Sequence, residues 1–90
     1  MATILAFHEV DDLEHWLRSP KREEVFGPLG IKGRLFTDPA KTNRVGLVVE
    51  VPDMKAFQRL MQSDEAAEAM RFDGVRPDTL VLLEEASGHL

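Results

Sequence analysis

Residues 44–51, Arg-Val-Gly-Leu-Val-Val-Glu-Val, read as a strand with apolar side chains on both of its faces. Alternate residues of a strand point to opposite sides of the sheet. Val45, Leu47, Val49 and Val51 therefore share one face. Gly46 and Val48 lie on the other, flanked by Arg44 and Glu50. An antiparallel sheet in a small monomer normally keeps one apolar and one wet face. A chain of 90 residues carries enough helix to cover only one face of its sheet. The second cover is expected to be another copy of the chain, giving a dimer with an enclosed interior.

The remaining segments supply partners for this strand. Residues 3–8 read as a strand with Leu5 and Phe7 on one side and Ile4, Ala6 and His8 on the other. Asp11 is expected to cap the helix that follows, with Glu14 completing an approximate capping box. Leu13, Trp16 and Leu17 form its apolar stripe. Ser19-Pro20 interrupts that helix and restarts it, with Pro at the first helical position and Ser as the cap before it. Residues 31–37 make a second strand, joined to the central one through turn residues 38–43. Asp53 caps a second helix whose buried stripe is Phe57, Leu60 and Met61, and Ser63 caps a further helical stretch that Asp73-Gly74 stops. Residues 80–83 make the last strand, and the tail from Ala86, including His89, is expected to fray.

The order strand, helix, strand, strand, helix, strand in one domain spanning residues 1–90 predicts an α+β, ferredoxin-like βαββαβ fold. Its four-stranded antiparallel sheet carries the helices on one face, so the other face is expected to be hidden, with a second subunit as the simplest cover.

Charge and composition narrow the function. Eleven Lys and Arg against sixteen Asp and Glu give a net charge of −5. This argues against a nucleic-acid or anionic-membrane surface, which needs a basic patch. With no cysteine there is no disulfide, thiolate nucleophile or cysteine-ligated metal. The N-terminal residues lack the basic start and long apolar run of a signal peptide, and no segment is long enough to cross a bilayer. A cytoplasmic protein is the expectation.

Several short motifs, in order, carry a resemblance. They are His8-x-Val10-x-Asp12 followed by Trp16, Gly33-Arg34-Leu35-Phe36, and Asn43-Arg44-Val45. Glu50-Val-Pro-Asp53, Phe57 with Gln62-Ser63, Glu68-Ala-Met70 and Asp73-Gly-Val75 continue the series. Together they span nearly the whole chain, which resembles the dimeric α+β barrel superfamily of antibiotic-biosynthesis-monooxygenase-like and EthD-like domains. The resemblance implies a homodimer joined through its sheet faces, with a small-molecule pocket between each sheet and its own helices. Relatives include cofactor-independent oxygenases of aromatic polyketides, isomerases, cyclases and haem-degrading enzymes. Such a fold constrains architecture more than chemistry. The Pro20 break in the first helix departs from the usual pattern of the small members.

His8 ends the first strand, and imidazole titrates near neutrality, so His8 reads as a general base at the pocket mouth. A backbone-capping role at the strand-to-helix passage is the alternative. Asp12 and His15 stand three apart and would meet on one helical face, which adds them to the candidate catalytic set. Two imidazoles and a carboxylate are also a valid metal ligand set. The spacing matches no metal motif, though, and helix capping already accounts for acidic residues there, so neither metal nor cofactor is expected. Trp16, Phe7, Phe36, Phe57 and Met61 are the candidate pocket walls, with Phe26, Phe72, Met54 and Met70 completing an apolar interior. Arg34 and Arg44 on neighbouring strands would bind a carboxylate or phenolate, or pair with groups such as Glu50. There is no Gly-rich phosphate loop and no nucleophile elbow.

Three functions fit these residues. One is an enzyme, a cofactor-independent monooxygenase, cyclase or isomerase acting on a small, apolar, aromatic or polyketide-like molecule with His8 as base. The second is a non-catalytic ligand-binding module. The third is an accessory dimerisation protein.

Overall fold

In the computed structural model, which describes residues 2–88, the apolar run is the central strand β3 (Arg44–Val51). It lies between β2 (Lys32–Thr37) and β1 (Ala2–Glu9), with β4 (Val81–Glu84) on the far side of β1. The sheet order is β2-β3-β1-β4, and every pairing is antiparallel. Four helices fill the two crossovers: α1 (Leu13–Arg18) and α2 (Lys21–Phe26) in the first, α3 (Met54–Met61) and α4 (Asp64–Asp73) in the second. This is the ferredoxin-like α+β arrangement, with the helices on one face. His89, assigned to the frayed tail, lies outside the described residues.

The two faces of β1 and β3 separate by alternation. Ile4, Ala6, Val45, Leu47, Val49 and Val51 are buried beneath the helices. Trp16 from α1, Phe57 from α3 and the linker residues Val10 and Ile31 complete that core. Burying an apolar side chain of this size contributes about 1.5–3 kcal/mol, so this layer dominates the stability. Leu5 and Phe7 point the other way and are 40% and 43% exposed.

Registry aligns the outward residues in rows, because directly opposed residues share a face. Phe36 pairs with Gly46, Gly46 with Phe7, and Phe7 with Val81. The next row runs Arg34, Val48, Leu5, Leu83. Phe36, Val81 and Leu83 are exposed at 46%, 39% and 51%. The open face is thus a contiguous apolar surface on the far side of the sheet from every helix.

Gly33 lets β2 close onto β3, since a Cβ there would stand 2.5 Å from the Val48 carbonyl oxygen and 2.8 Å from Val49 Cγ1. Gly74 ends α4 at φ 72°, a left-handed conformation that favours glycine. Its carbonyl accepts from the Asp11 backbone N–H at 2.9 Å.

Capping follows the sequence with two corrections. Asp53 accepts from the N–H groups of Lys55 and Ala56, and Ser63 Oγ accepts from Ala66. The first helix is capped by Asp12, not Asp11: its carboxylate accepts from the His15 backbone N–H at 3.1 Å. Asp11 is held elsewhere, its carboxylate accepting from Arg76 Nε at 2.9 Å. Arg76 also reaches Glu9 at 3.1 Å, tying the end of β1 to the segment after α4. Ser19-Pro20 breaks the first crossover helix, but Pro20 is itself the N-cap and α2 starts one residue later, at Lys21, whose N–H donates to Ser19 Oγ at 3.1 Å.

Four residues assigned to the interior lie outside it. Leu17 is 38% exposed, because the six-residue α1 ends before a second inward turn develops. Phe72 is 47% exposed and packs on the His15 ring, with centroids 5.0 Å apart. Phe7 and Phe36 belong to the open face. Among the described residues no helix is long and apolar enough to cross a membrane.

Candidate functional site

Between the inner face of the sheet and the four helices lies a cavity of about 90 Å³. Ile4, Ala6, Leu47 and Val49 of the sheet form its floor, and Phe57 and Met61 of α3 stand opposite. Five polar or amphipathic side chains meet there: His8, Trp16, Lys21, Arg22 and Asp73.

β1 positions His8, because the alternation that buries Ile4 and Ala6 turns the imidazole to the same side. His8 is 6% exposed. Its Nδ1 lies 3.4 Å from the Glu9 carbonyl oxygen. A carbonyl only accepts, so Nδ1 carries the proton and Nε2 keeps the basic lone pair. Burial lowers the imidazole pKa, against the opposing pull of the Glu9 carbonyl. The Arg22 charge lowers it further, and the Asp73 charge raises it. At neutral pH the ring is therefore neutral and able to accept a proton.

Trp16 is 1% exposed and presents an edge to His8, with ring centroids 5.8 Å apart and planes at 80°. The Arg22 guanidinium carbon lies 4.6 Å from the Trp16 ring centroid, a cation–π contact. Arg22 Nη1 comes to 3.6 Å from Asp73 Oδ2, close enough to attract and too far for a hydrogen bond. Asp73 is 4% exposed. Desolvation lowers the Arg22 pKa, and Asp73 partly restores it.

A second, wider groove of about 510 Å³ runs between α2 and the β2 edge, floored in part by Gly33. It shares Arg22, Phe26, Leu47 and Val49 with the cavity, so the two spaces adjoin. The cavity alone is smaller than the ~150 Å³ space that admits a benzene ring. An occupant of aromatic size would have to extend into the groove.

Of the residues singled out from sequence, His8, Trp16, Phe57 and Met61 line the cavity together. Asp12 and His15 do not join them. Asp12 caps α1, and His15 Nε2 donates to the Phe72 carbonyl at 2.6 Å. Phe7 and Phe36 stand on the open face of the sheet, on the opposite side from the cavity. Arg34 borders the groove, with its guanidinium carbon 5.7 Å from the Phe36 ring centroid. Arg44 lies 3.5 Å from Asp38 in the hairpin, and Glu50 accepts from Thr3 Oγ1 instead.

Arg22 and Asp73 were missed. In the sequence Arg22 stands in a small basic cluster with Arg18 and Lys21, directly before Glu23 and Glu24, and Asp73 reads as a helix stop. Spacing held the signal: Arg22 stands three and four residues before Val25 and Phe26, and Asp73 extends the stripe Ala66, Met70 at i+7. Each charge occupies an inward helical position.

Comparison with solved structures places this architecture. A crystal structure of an antibiotic biosynthesis monooxygenase superposes with a TM-score of 0.65 at 12% identity, covering 99% of this chain and 100% of the other. The two chains share one fold over nearly their whole lengths. The protein PA3566 from Pseudomonas aeruginosa is similar at TM-score 0.61 and 10% identity, with 98% and 94% of the two chains covered. An EthD family protein from Bacillus halodurans is similar at TM-score 0.54 and 17% identity, with 98% and 100% covered. No family model and no curated protein matches the sequence. At these identities the shared property is the fold.

Proposed function

We propose that this chain forms a homodimeric α+β barrel that binds a small, largely apolar molecule and uses His8 to remove a proton from it. The observation that carries this reading is the buried His8, kept neutral and facing a cavity whose other walls are mostly apolar. Cofactor-independent oxygenation, cyclisation and isomerisation of an enolisable molecule share one first step, the loss of an acidic proton to a base. A base whose pKa lies near or below the working pH performs that step without first releasing a proton of its own. Arg22 lines the same cavity, and its positive charge would stabilise an enolate formed there. The solved structures of similar fold, one of them named an antibiotic biosynthesis monooxygenase, support oxygenation as the form this takes.

Dimerisation rests on the open face. Leu5, Phe7, Phe36, Val81 and Leu83 are all at least 39% exposed on one contiguous surface. Exposed apolar patches of this kind mark contact surfaces, and a second sheet packed face to face would remove it from water.

A proton-exchange assay tests the base. The α-protons of 1-indanone in D₂O are followed by proton NMR with wild-type protein and with His8→Gln. Wild type is expected to accelerate exchange, and His8→Gln to abolish the acceleration. Equal acceleration by both proteins would remove His8 from the role. A second reading, ligand binding without turnover, is favoured by the absence of Ser, Thr and Tyr hydroxyls among the lining residues. A rise in melting temperature with indanone and no exchange would select it.

A further inference from the structure

The Arg22–Asp73 pair is incompletely satisfied. Its closest approach, 3.6 Å, is well beyond the 2.7–2.9 Å of a charge-assisted hydrogen bond. Arg22 Nη1 and Asp73 Oδ1 are both buried without a hydrogen-bond partner. Both side chains line the cavity, and they are only 17% and 5% exposed. A buried donor and a buried acceptor left unmatched are costly, so their geometry specifies what an occupant must bring. Arg22 Nη1 requires an acceptor, and Asp73 Oδ1 requires a donor.

We propose that the Arg22–Asp73 pair recognises a neutral ligand headgroup with an acceptor and a donor side by side, as in a carboxamide or an enol next to a carbonyl. This assignment rests on the cavity being the binding site and names the chemistry of what enters it. The pair carries no net charge, so a carboxylate would meet Asp73 and an ammonium would meet Arg22, each unfavourably. A plain ketone would satisfy Arg22 and leave the Asp73 oxygen unmatched. Trp16, at 4.6 Å from the guanidinium, holds Arg22 in place. The headgroup carbonyl then lies against Arg22, in the same chamber as His8.

Trp16 is the only tryptophan of the chain and touches the pair, so its fluorescence reports binding directly. Three probes of nearly equal size are titrated into the native protein: isobutyramide, 3-methyl-2-butanone and isobutyrate. Isobutyramide supplies donor and acceptor, the ketone an acceptor alone, and isobutyrate a negative charge. The amide is expected to bind at least about tenfold more tightly than either of the others. Asp73→Asn, which leaves the Arg22 charge unopposed, is expected to move the preference toward isobutyrate.

Ketone and amide binding equally would overturn the headgroup assignment while leaving the cavity a binding site. Isobutyrate preferred by the native protein would overturn it too. No binding by any of the three would overturn both the headgroup and the cavity as a site. The native ranking decides the matter even where Asp73→Asn fails to fold.

Discussion

The His8 imidazole meets the Trp16 indole edge-on, with centroids 5.8 Å apart and planes at 80°. This contact joins the end of the first strand to the middle of the first helix and shields the imidazole from water. A charged imidazolium is disfavoured there, and stability acquires a pH dependence.

The folded pKa of His8 lies below the ordinary value of 6.5. Above that value the ring is neutral in both folded and unfolded chains, and it contributes nothing to pH dependence. As pH falls through 6.5 the unfolded chain takes up the proton first, so stability falls. The loss stops growing once pH drops below the folded pKa. Denaturant titrations between pH 8 and pH 4 are expected to show this decline in wild type and a shallower one in His8→Gln. Parallel curves for the two proteins would contradict the burial argument.

Phe7 stands near the middle of the open face, paired with Gly46 on one side and Val81 on the other. In a two-fold interface the residue occurs twice, so one substitution acts on both subunits. Phe7→Glu is expected to weaken dimerisation by about 100-fold or more, equivalent to ~3 kcal/mol. Sedimentation velocity at micromolar concentration measures it. A wild-type protein that sediments as a monomer would refute the barrel.

Gly33 has no room for a side chain, with the Val48 carbonyl 2.5 Å from where a Cβ would sit. Backbone must shift to accept even a methyl group. Gly33→Ala is expected to cost about 1–3 kcal/mol of stability, read from the denaturation midpoint. An unchanged midpoint would mean that β2 gives way freely at the groove.

Much of the fold is legible in residue alternation alone. The two-sided apolar pattern of residues 44–51 identified the central strand, and Asp53, Ser63 and Gly74 marked helix ends where the structure has them. What alternation does not assign is which side of the sheet receives the helices. Phe7 and Phe36 look like pocket walls until the register sets them on the open face with Leu5 and Val81. The site was legible only in its apolar part and His8. Arg22 and Asp73 escaped because a charged side chain on a short helix reads as solvated, and only tertiary packing turns both toward one chamber. The Asp11 to Asp12 shift has the same origin, since Arg76, 65 residues away, holds Asp11.

The interruption at Ser19-Pro20 has a geometric consequence for the chamber. Trp16 and Arg22 are six positions apart, and on one straight helix they would project about 120° away from each other. With the chain turned at Pro20, both side chains reach the same wall and touch. The proline therefore works as a mitre joint: without it, the indole and the guanidinium would belong to different sides of a rod.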